Sequence, residues 1–310
     1  MTALLRVISA GPLVSVQDGG RRGCLRYGVP GSGPMDRKTL TIANLALGNP
    51  AGAAGVEVSR GGLTLECEAG SVSLAIAGGG FVVRVGDVAV GSWAVVTLRA
   101  GQRLVVGAGP WGSWTCLAFA GTLEVPQWLA SAATHALSGL GGGMLVLGQL
   151  LRVTAPRVHA DRALPCPVWA RPRAVMHAVP GPQDRFFDPG ALKEFFNSAY
   201  QLTDAYDRMG VRLQGPIVAP EAALSLPSQA ILRGSVQVAG DGVPTVLLAD
   251  HQTTGGYPKI ATVLSDDLDG FAQLRPRDAV RFVAIGPQEA VLMARQRARA
   301  VERYVQTLAI

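Results

Sequence analysis

The stretch SVSLAIAGGGFVVRVGDVAVGSWAVVTLRAGQRLVV, residues 71–106, decides the fold class. From Val72 to Ile76 apolar residues alternate with small or polar ones, which is the period-two pattern of a half-buried strand. Turn formers at Gly86-Asp87 predict a hairpin, and Arg99 to Gln102 predict a second one. Because short strands of this kind recur at regular spacing from about residue 55 to 153, the sequence favours a closed or nearly closed β-barrel.

The length of the chain allows two domains of ordinary size or one large one. The chain has 310 residues, of which 48% are hydrophobic and only 16% charged, so it has enough apolar surface to build a core. Its 39 Gly and 20 Pro suit turns and short strands better than long helices. A proline-rich break between Pro156 and Pro172 marks the boundary, which gives domains 1–160 and 170–310. Further strands are expected from Val211 to Phe282.

Three short stretches predict helices within this mainly β chain. Residues Met35 to Leu47 place apolar residues on one face, with Asp36 as the N-cap. Residues Pro189 to Asn197 follow Asp188, and an Asp cap before a first-turn Pro is a typical helix start. A terminal helix is expected from Pro287 to about Leu308, since apolar residues recur there at spacings of three and four.

Charge and hydropathy exclude some classes of function. The formal net charge is +6, but the basic residues are scattered and aromatic residues make up only 6%, which argues against a nucleic-acid-binding surface. A small anionic substrate or an acidic partner accounts for the charge equally well. The N-terminus lacks the layout of a signal peptide, and no apolar run has the length of a membrane span. We therefore expect a cytoplasmic protein with no membrane segment.

The cysteines and histidines do not predict a metal site. The four cysteines form no C-x-x-C pair, and the four histidines lie at no metal-ligand spacing from them. We therefore expect no metal, and reduced thiols in a reducing compartment.

The first candidate site is the glycine-rich stretch from Gln17 to Asp36. Glycines let backbone N–H groups approach a ligand, and arginines supply forked donors for a carboxylate or phosphate. The carboxylates orient those arginines or transfer protons. The alternative is a structured turn held by internal Arg–Asp pairs. The candidate catalytic residues are Asp18 and Asp36, and the candidate substrate-binding residues are Arg21, Arg22, Tyr27 and Ser32.

A second group of candidates lies in the C-terminal half. The stretch Asp204 to Leu213 contributes Arg208 as an anion ligand, although surface ion pairs of this composition are common. The stretch Asp250 to Ile260 follows an apolar strand and combines an amide, hydroxyls and one ammonium group, which is typical of a ligand-binding loop. Its substrate-binding candidates are Gln252, Thr253 and Tyr257, and its catalytic candidate is Lys259, which suits an anion or an oxyanion.

Together, three stretches resemble the signatures of a known family. They are SVQDGGRRGCLRYGVPGSGPMDRKTLTIANLALGNPAGAAGVEV, AYDRMGVRLQGP and LLADHQTTGGYPKIATV, and they follow one another in order along the chain. The sequence is similar to the KipA group, also called allophanate hydrolase subunit 2 or the biotin-dependent carboxyltransferase family, which includes the C-type subunit of 5-oxoprolinase. The resemblance implies two cyclophilin-like β-barrel domains, the second carrying the terminal helix.

The resemblance also implies an activity and partners. Such chains form a complex with a KipI-like B-type subunit, and a LamB/YcsF-like A-type subunit completes an ATP-dependent 5-oxoprolinase that converts 5-oxo-L-proline to L-glutamate. ATP is then consumed by the complex and is not necessarily bound by this chain. The expected role is therefore that of an enzyme subunit acting on a small anionic substrate and inactive alone.

Two alternatives remain open. In one, the chain is half of a carboxyltransferase that moves a carboxyl group from carboxybiotin to a urea-like nitrogen, and biotin is then the cofactor. In the other, it is a non-enzymatic regulator that binds a KipI-like inhibitor of a histidine kinase. The sequence contains no G-x-x-x-x-G-K-[ST] phosphate loop. This absence is compatible with all three roles: hydrolase subunit, carboxyltransferase half and regulator.

Overall fold

The computed structural model describes residues 2–221 and 226–308. The chain divides into two compact units. Unit 1 comprises Met1–Arg21, Ser32–Arg171 and Arg303–Ile310, and unit 2 comprises Arg22–Gly31 and Pro172–Glu302.

Unit 1 is built on an eleven-stranded sheet with one helix. Its strands are β1 Thr2–Ala10, β2 Ser15–Gln17, β3 Gly55–Ser59, β4 Leu63–Ala69, β5 Ser71–Val85, β6 Val88–Ala89, β7 Ala94–Arg99, β8 Arg103–Phe119, β9 Thr122–Glu124, β10 Leu150–Thr154 and β11 Arg162–Ala163. The helix α1 spans Arg37–Leu45. Along the main path the strand order is β11-β7-β5-β8-β4-β1-β10-β9. Alternate residues of a strand reach two buried cores: Val72, Leu74 and Ile76 of β5 join one, and Ala75 and Ala77 join another that includes Ile42 of α1.

The two predicted hairpins of unit 1 have different outcomes. The hairpin at Gly86-Asp87 is confirmed, because β5 and β6 pair with Val85 opposite Val88. The turn at residues 99–102 also forms, but β7 and β8 lie on opposite sides of β5, so the predicted pairing is wrong. The turn instead contacts the β4–β5 corner, where the N–H of Gly101 donates to the carbonyl of Cys67 at 2.7 Å. A local turn signal does not fix which strand becomes the neighbour.

Unit 2 is a closed barrel with helices around it. Its strands are β12 Val175–Pro180, β13 Ala199–Tyr206, β14 Gly210–Gln214, β15 Gln229–Ala230, β16 Ser235–Val238, β17 Pro244–Leu247, β18 Thr254–Gly255, β19 Lys259–Val263 and β20 Ala279–Ala284. The closed order is β12-β19-β16-β17-β14-β13-β20, while β15 and β18 form a separate two-stranded sheet. The helices are α2 Pro189–Asn197, α3 Ser265–Ala272 and α4 Pro287–Gln306. The predicted mainly β fold with short helices and a C-terminal helix is confirmed.

Helix ends follow local chemistry. Asp36 caps α1 by accepting from the N–H of Thr39 at 3.2 Å, and Asp188 caps α2 by accepting from the N–H groups of Gly190 and Ala191. The predicted bounds of α2 are confirmed, and the structure shortens α1 by two residues at each end. The expectation of strands throughout residues 211–282 is wrong at α3, where a helix intervenes. No helix among the described residues is both long and apolar enough to span a membrane.

Candidate functional site

A row of side chains crosses the outer face of the unit 2 barrel. Arg212 on β14 pairs with Thr245 on β17, Thr245 pairs with Gln237 on β16, and Gln237 pairs with Lys259 on β19. Residues that face each other in antiparallel strands project on the same side of the sheet. The alternate residues, such as Val246, are buried on the opposite side, in the barrel core. Four strands thus bring polar groups from distant positions of the sequence onto one surface.

A cleft of about 780 Å³ opens over part of this row. Polar side chains from β14, β16, the β16–β17 turn and the loop after β17 line it, including Asp207, Arg212, Gln237, Asp241, Gln252 and Tyr257. Its volume is in the range of small-molecule sites. Two predicted substrate-binding residues, Gln252 and Tyr257, therefore share one concave surface.

Two carboxamides touch each other in the cleft wall. The Nε2 of Gln252 donates to the Oε1 of Gln237 at 3.0 Å, and the Nε2 of Gln237 lies 3.5 Å from the carbonyl oxygen of Tyr257. Gln237 is buried, whereas Tyr257 is 54% exposed at the cleft mouth. A Cβ placed on Gly255 would lie 2.9 Å from the Nε2 of Gln237, so the backbone of the loop is in close contact with this amide.

Lys259 lies at the end of the row and is only 2% exposed. Within the part of the chain that the structure describes, its Nζ has no hydrogen-bond partner. Burial away from water lowers the pKa of this amine. Its backbone is fixed, because its N–H donates to the Oε1 of Gln183 at 2.9 Å and its carbonyl accepts from the N–H of Gln183 at 3.2 Å. Among the described residues, nothing therefore offsets the cost of burying this amine.

Two ion pairs organise the same region. Arg208 and Asp250 are each 1% exposed, and the Nε and Nη2 of Arg208 donate to the two carboxylate oxygens at 2.9 and 3.2 Å. This fork fixes the loop that begins at Asp250. Arg212 pairs with Asp241 in the cleft, and the pKa of Asp241 is lowered by the N–H of Val243 and then by Arg212. Thr253 joins the loop to the segment after β15, because its carbonyl accepts from the N–H of Ile231 at 3.0 Å.

The predicted residues of unit 1 tie loops together. Asp18 accepts from the N–H of Gly20 at 2.8 Å, the hydroxyl of Ser131 at 2.7 Å and the N–H of Ala132 at 2.6 Å. Arg21 is 3% exposed, donates to the carbonyls of Trp128 and Ala133, and stacks over the ring of Trp128. These contacts connect residues 18–21 to the loop at 128–133.

The remaining predicted residues are not among those that line the unit 2 cleft. Asp36 is buried at the start of α1, and Ser32 has φ +51° with a buried hydroxyl that has no partner among the described residues. Arg22 and Tyr27 belong to the short segment of unit 2 at residues 22–31, and Tyr27 is 70% exposed beneath the guanidinium of Arg26. Their roles stay predictions.

The structure adds residues that the sequence reasoning missed. Gln237, Arg212 and Asp241 line the cleft but were not among the candidates. One signal was present for Gln237, since it stands between two valines in the strand SVQV. No group of three or more His, Cys, Asp or Glu within the described ranges is placed to hold a metal ion.

Comparison with known proteins identifies the family. The family model described as "Carboxyltransferase domain, subdomain A and B" matches residues 27–284. The C-type subunit of the Escherichia coli 5-oxoprolinase is 36% identical over 99% of this chain and 98% of that protein, and its Haemophilus influenzae counterpart is 31% identical over 94% and 95%. The crystal structure of the K. lactis urea amidolyase matches with a TM-score of 0.85 at 25% identity, over 97% of this chain and 20% of that one.

The class and its subgroup follow from these matches. The chain, with its barrel fold and polar cleft, belongs to the carboxyltransferase-domain family. Within that family, its nearly full-length relatives are C-type subunits of 5-oxoprolinase, so the predicted family membership is confirmed.

Proposed function

We propose that this chain is the C-type subunit of an ATP-dependent 5-oxoprolinase, which hydrolyses the lactam of 5-oxo-L-proline to L-glutamate. The observation that carries the proposal is the nearly full-length similarity to two proteins that are named as this subunit of 5-oxoprolinase. The enzyme acts as a complex with a KipI-like subunit and a LamB/YcsF-like subunit in the cytoplasm, and the chain alone is inactive.

The unit 2 cleft supports this substrate class. A 5-oxoproline molecule carries one carboxylate and one lactam amide, and the cleft offers hydrogen-bonding carboxamides at Gln237 and Gln252. Lys259, next in the row, supplies a buried amine without a protein partner in the described part of the chain. That amine suits the substrate carboxylate or the oxygen that becomes negative when the lactam carbonyl is attacked.

The cleft fits ATP less well than it fits the lactam. A triphosphate carries about four negative charges and needs several cations or helix N-terminal amides. In the cleft Arg212 is paired with Asp241, and Lys259, at the end of the row, adds only a single amine. We therefore propose that ATP binds elsewhere in the assembled complex, where it activates the lactam oxygen.

The carboxyltransferase alternative has one observation in its favour. The K. lactis urea amidolyase matches over 97% of this chain, and the family model is named for carboxyl transfer. A ureido ring has the same adjacent C=O and N–H groups as a lactam, so the carboxamide pair suits either. In that case carboxybiotin from another chain is the donor, and a urea-like nitrogen accepts the carboxyl group.

The test is ATP-dependent release of glutamate from 5-oxoproline. The chain is co-purified with its KipI-like and LamB/YcsF-like partners and compared with a mixture that lacks it. We expect turnover only in the complete mixture, and its loss in Lys259→Ala but not in Lys193→Ala, an exposed lysine on α2. A stable complex without turnover contradicts the proposal and leaves carboxyl transfer or a regulatory role.

A further inference from the structure

Gln237 occupies a position where the strand pattern does not require a polar residue. It lies on β16 between Val236 and Val238, and it is 4% exposed. Burying a carboxamide costs free energy unless its donors and acceptors are satisfied. An apolar residue at this position would avoid that cost, so the presence of a carboxamide indicates that it has a binding partner.

The protein satisfies the carboxamide pair only in part. Gln237 accepts one hydrogen bond at its Oε1 from Gln252, and the contact from its Nε2 to the Tyr257 carbonyl is long at 3.5 Å. A carboxamide has two N–H donors and an oxygen that accepts two hydrogen bonds. Within the described residues Gln252 donates only to Gln237, and its Oε1 accepts no hydrogen bond from protein. Gln252 therefore keeps a donor and an acceptor on one planar group in the cleft wall.

The loop backbone holds the two amides together. A Cβ on Gly255 would lie 2.9 Å from the Nε2 of Gln237 and 3.7 Å from the Nε2 of Gln252. Glycine at this position lets the chain pass against Gln237 and against the Cδ1 of Ile231, which would lie 2.6 Å from the Cβ. The pair is thus preorganised on one side by the loop and on the other by the barrel wall, a property that lowers the cost of ligand binding.

We propose that Gln252, held by Gln237, is the specificity determinant that recognises the cis-amide edge of the ligand. A small ring forces its amide into the cis form, which puts C=O and N–H side by side, whereas an ordinary peptide bond is trans and points them apart. The N–H donor that Gln252 retains can pair with the ligand C=O, and its Oε1 can accept from the ligand N–H. A lactam and a cyclic urea share this pair of groups. Only the choice of the lactam as the ligand rests on the proposed function.

The experiment measures binding by calorimetry to the full-length chain and to the assembled complex. The probes are 5-oxo-L-proline, its lactone analogue, in which a ring oxygen replaces the N–H, and 2-imidazolidinone, a cyclic urea without a carboxylate. We expect wild type to bind the lactam about 10- to 100-fold more tightly than the lactone, because the lactone has no N–H for the Oε1 of the half-buried Gln252. Gln237→Met and Gln252→Met are expected to bring that ratio close to one.

Controls separate recognition from folding and from the proposed function. Gln296→Met changes an exposed glutamine on α4 and should keep the wild-type ratio. Gly255→Ala should reduce lactam binding, whereas Gly240→Ala should not, since a Cβ at Gly240 meets no atom within 4 Å. Thermal melts identify any variant that is unfolded. Such a variant is replaced by Gln252→Glu, which keeps the shape of the side chain and removes its N–H donors.

Each outcome decides the inference. If the complex hydrolyses 5-oxoproline while both Met variants keep the lactam-to-lactone ratio, the inference is overturned and the proposed function stands. If the complex does not hydrolyse it, but 2-imidazolidinone binds and both variants abolish that binding, the cis-amide assignment stands and the proposed function fails. If wild type binds neither the lactam nor the cyclic urea, alone or in the complex, the inference is overturned.

Discussion

At the residue scale, Lys259 shows how burial changes what a side chain does. The residue is 2% exposed, and burial lowers the pKa of its amine from the ordinary 10.5. A ligand carboxylate beside the amine favours the charged form again, so binding of an anion and proton uptake are coupled. The hydrogen bond to Gln183 fixes the backbone of Lys259.

The lowered pKa predicts a pH dependence of stability. Between the folded pKa and 10.5 the unfolded chain binds one proton more than the folded chain at Lys259, so stability rises with pH across this window. Lys259→Met removes the cost of burying the amine. We expect the variant to be more stable than wild type at neutral pH, and the difference to shrink toward pH 10.5. Urea unfolding at several pH values measures this, with Lys193→Met as the exposed control, and a pH-independent difference would contradict it.

Sequence reasoning found part of the candidate site for a physical reason. Gln252, Tyr257 and Lys259 follow an apolar strand, and polar residues at the end of a buried strand signal a ligand loop. Arg208 was predicted as an anion ligand for a similar reason, but its guanidinium donates two hydrogen bonds to the buried carboxylate of Asp250. Sequence shows that an arginine is present and not which carboxylate binds it, because that partner lies 42 residues away.

At the element scale, local capping was predictable and long-range anchoring was not. The start of α2 follows from Asp188 and Pro189, which act within one turn. Helix α3 was missed, since its sequence SDDLDGFA contains four polar residues and a glycine. Its Asp267 is fully buried and accepts hydrogen bonds from Arg173, from His177 on β12 and from Arg297 on α4. These partners lie 94, 90 and 30 residues away from Asp267 in the sequence.

This anchor predicts the effect of a substitution on α4. Arg297→Ala removes a 2.8 Å hydrogen bond to a buried carboxylate, and we expect a loss of about 1–3 kcal/mol in the free energy of unfolding. Arg299→Ala, an exposed arginine two positions along the same helix, should change it by less than about 0.5 kcal/mol. Chemical denaturation of both variants compares them, and equal effects would show that the Asp267 contact does not anchor the helix.

At the scale of the whole molecule, the pairing order of four barrel strands brings the polar residues of the row together. Arg212, Thr245, Gln237 and Lys259 become neighbours only when β14, β17, β16 and β19 pair in that order. The period-two pattern predicts which residues of a strand share a face but not which strands adjoin. For this reason Gln237 and Arg212 escaped prediction, although the fold class was correct.

Closure of the barrel depends on β20, which pairs with both β12 and β13. Its Phe282 is fully buried and stacks on Phe195 with 4.7 Å between ring centroids. Phe282→Ala leaves a cavity at this junction, so we expect a loss of about 3–5 kcal/mol in the free energy of unfolding. Val283→Ala changes the next residue, which faces outward and is 42% exposed, and should cost less than about 1 kcal/mol. Guanidinium unfolding followed by circular dichroism measures both. Because the cleft residues are positioned by the closed barrel, Phe282→Ala should bind ligand normally wherever it remains folded, and weakened binding by the folded variant would show that closure at β20 also tunes the cleft.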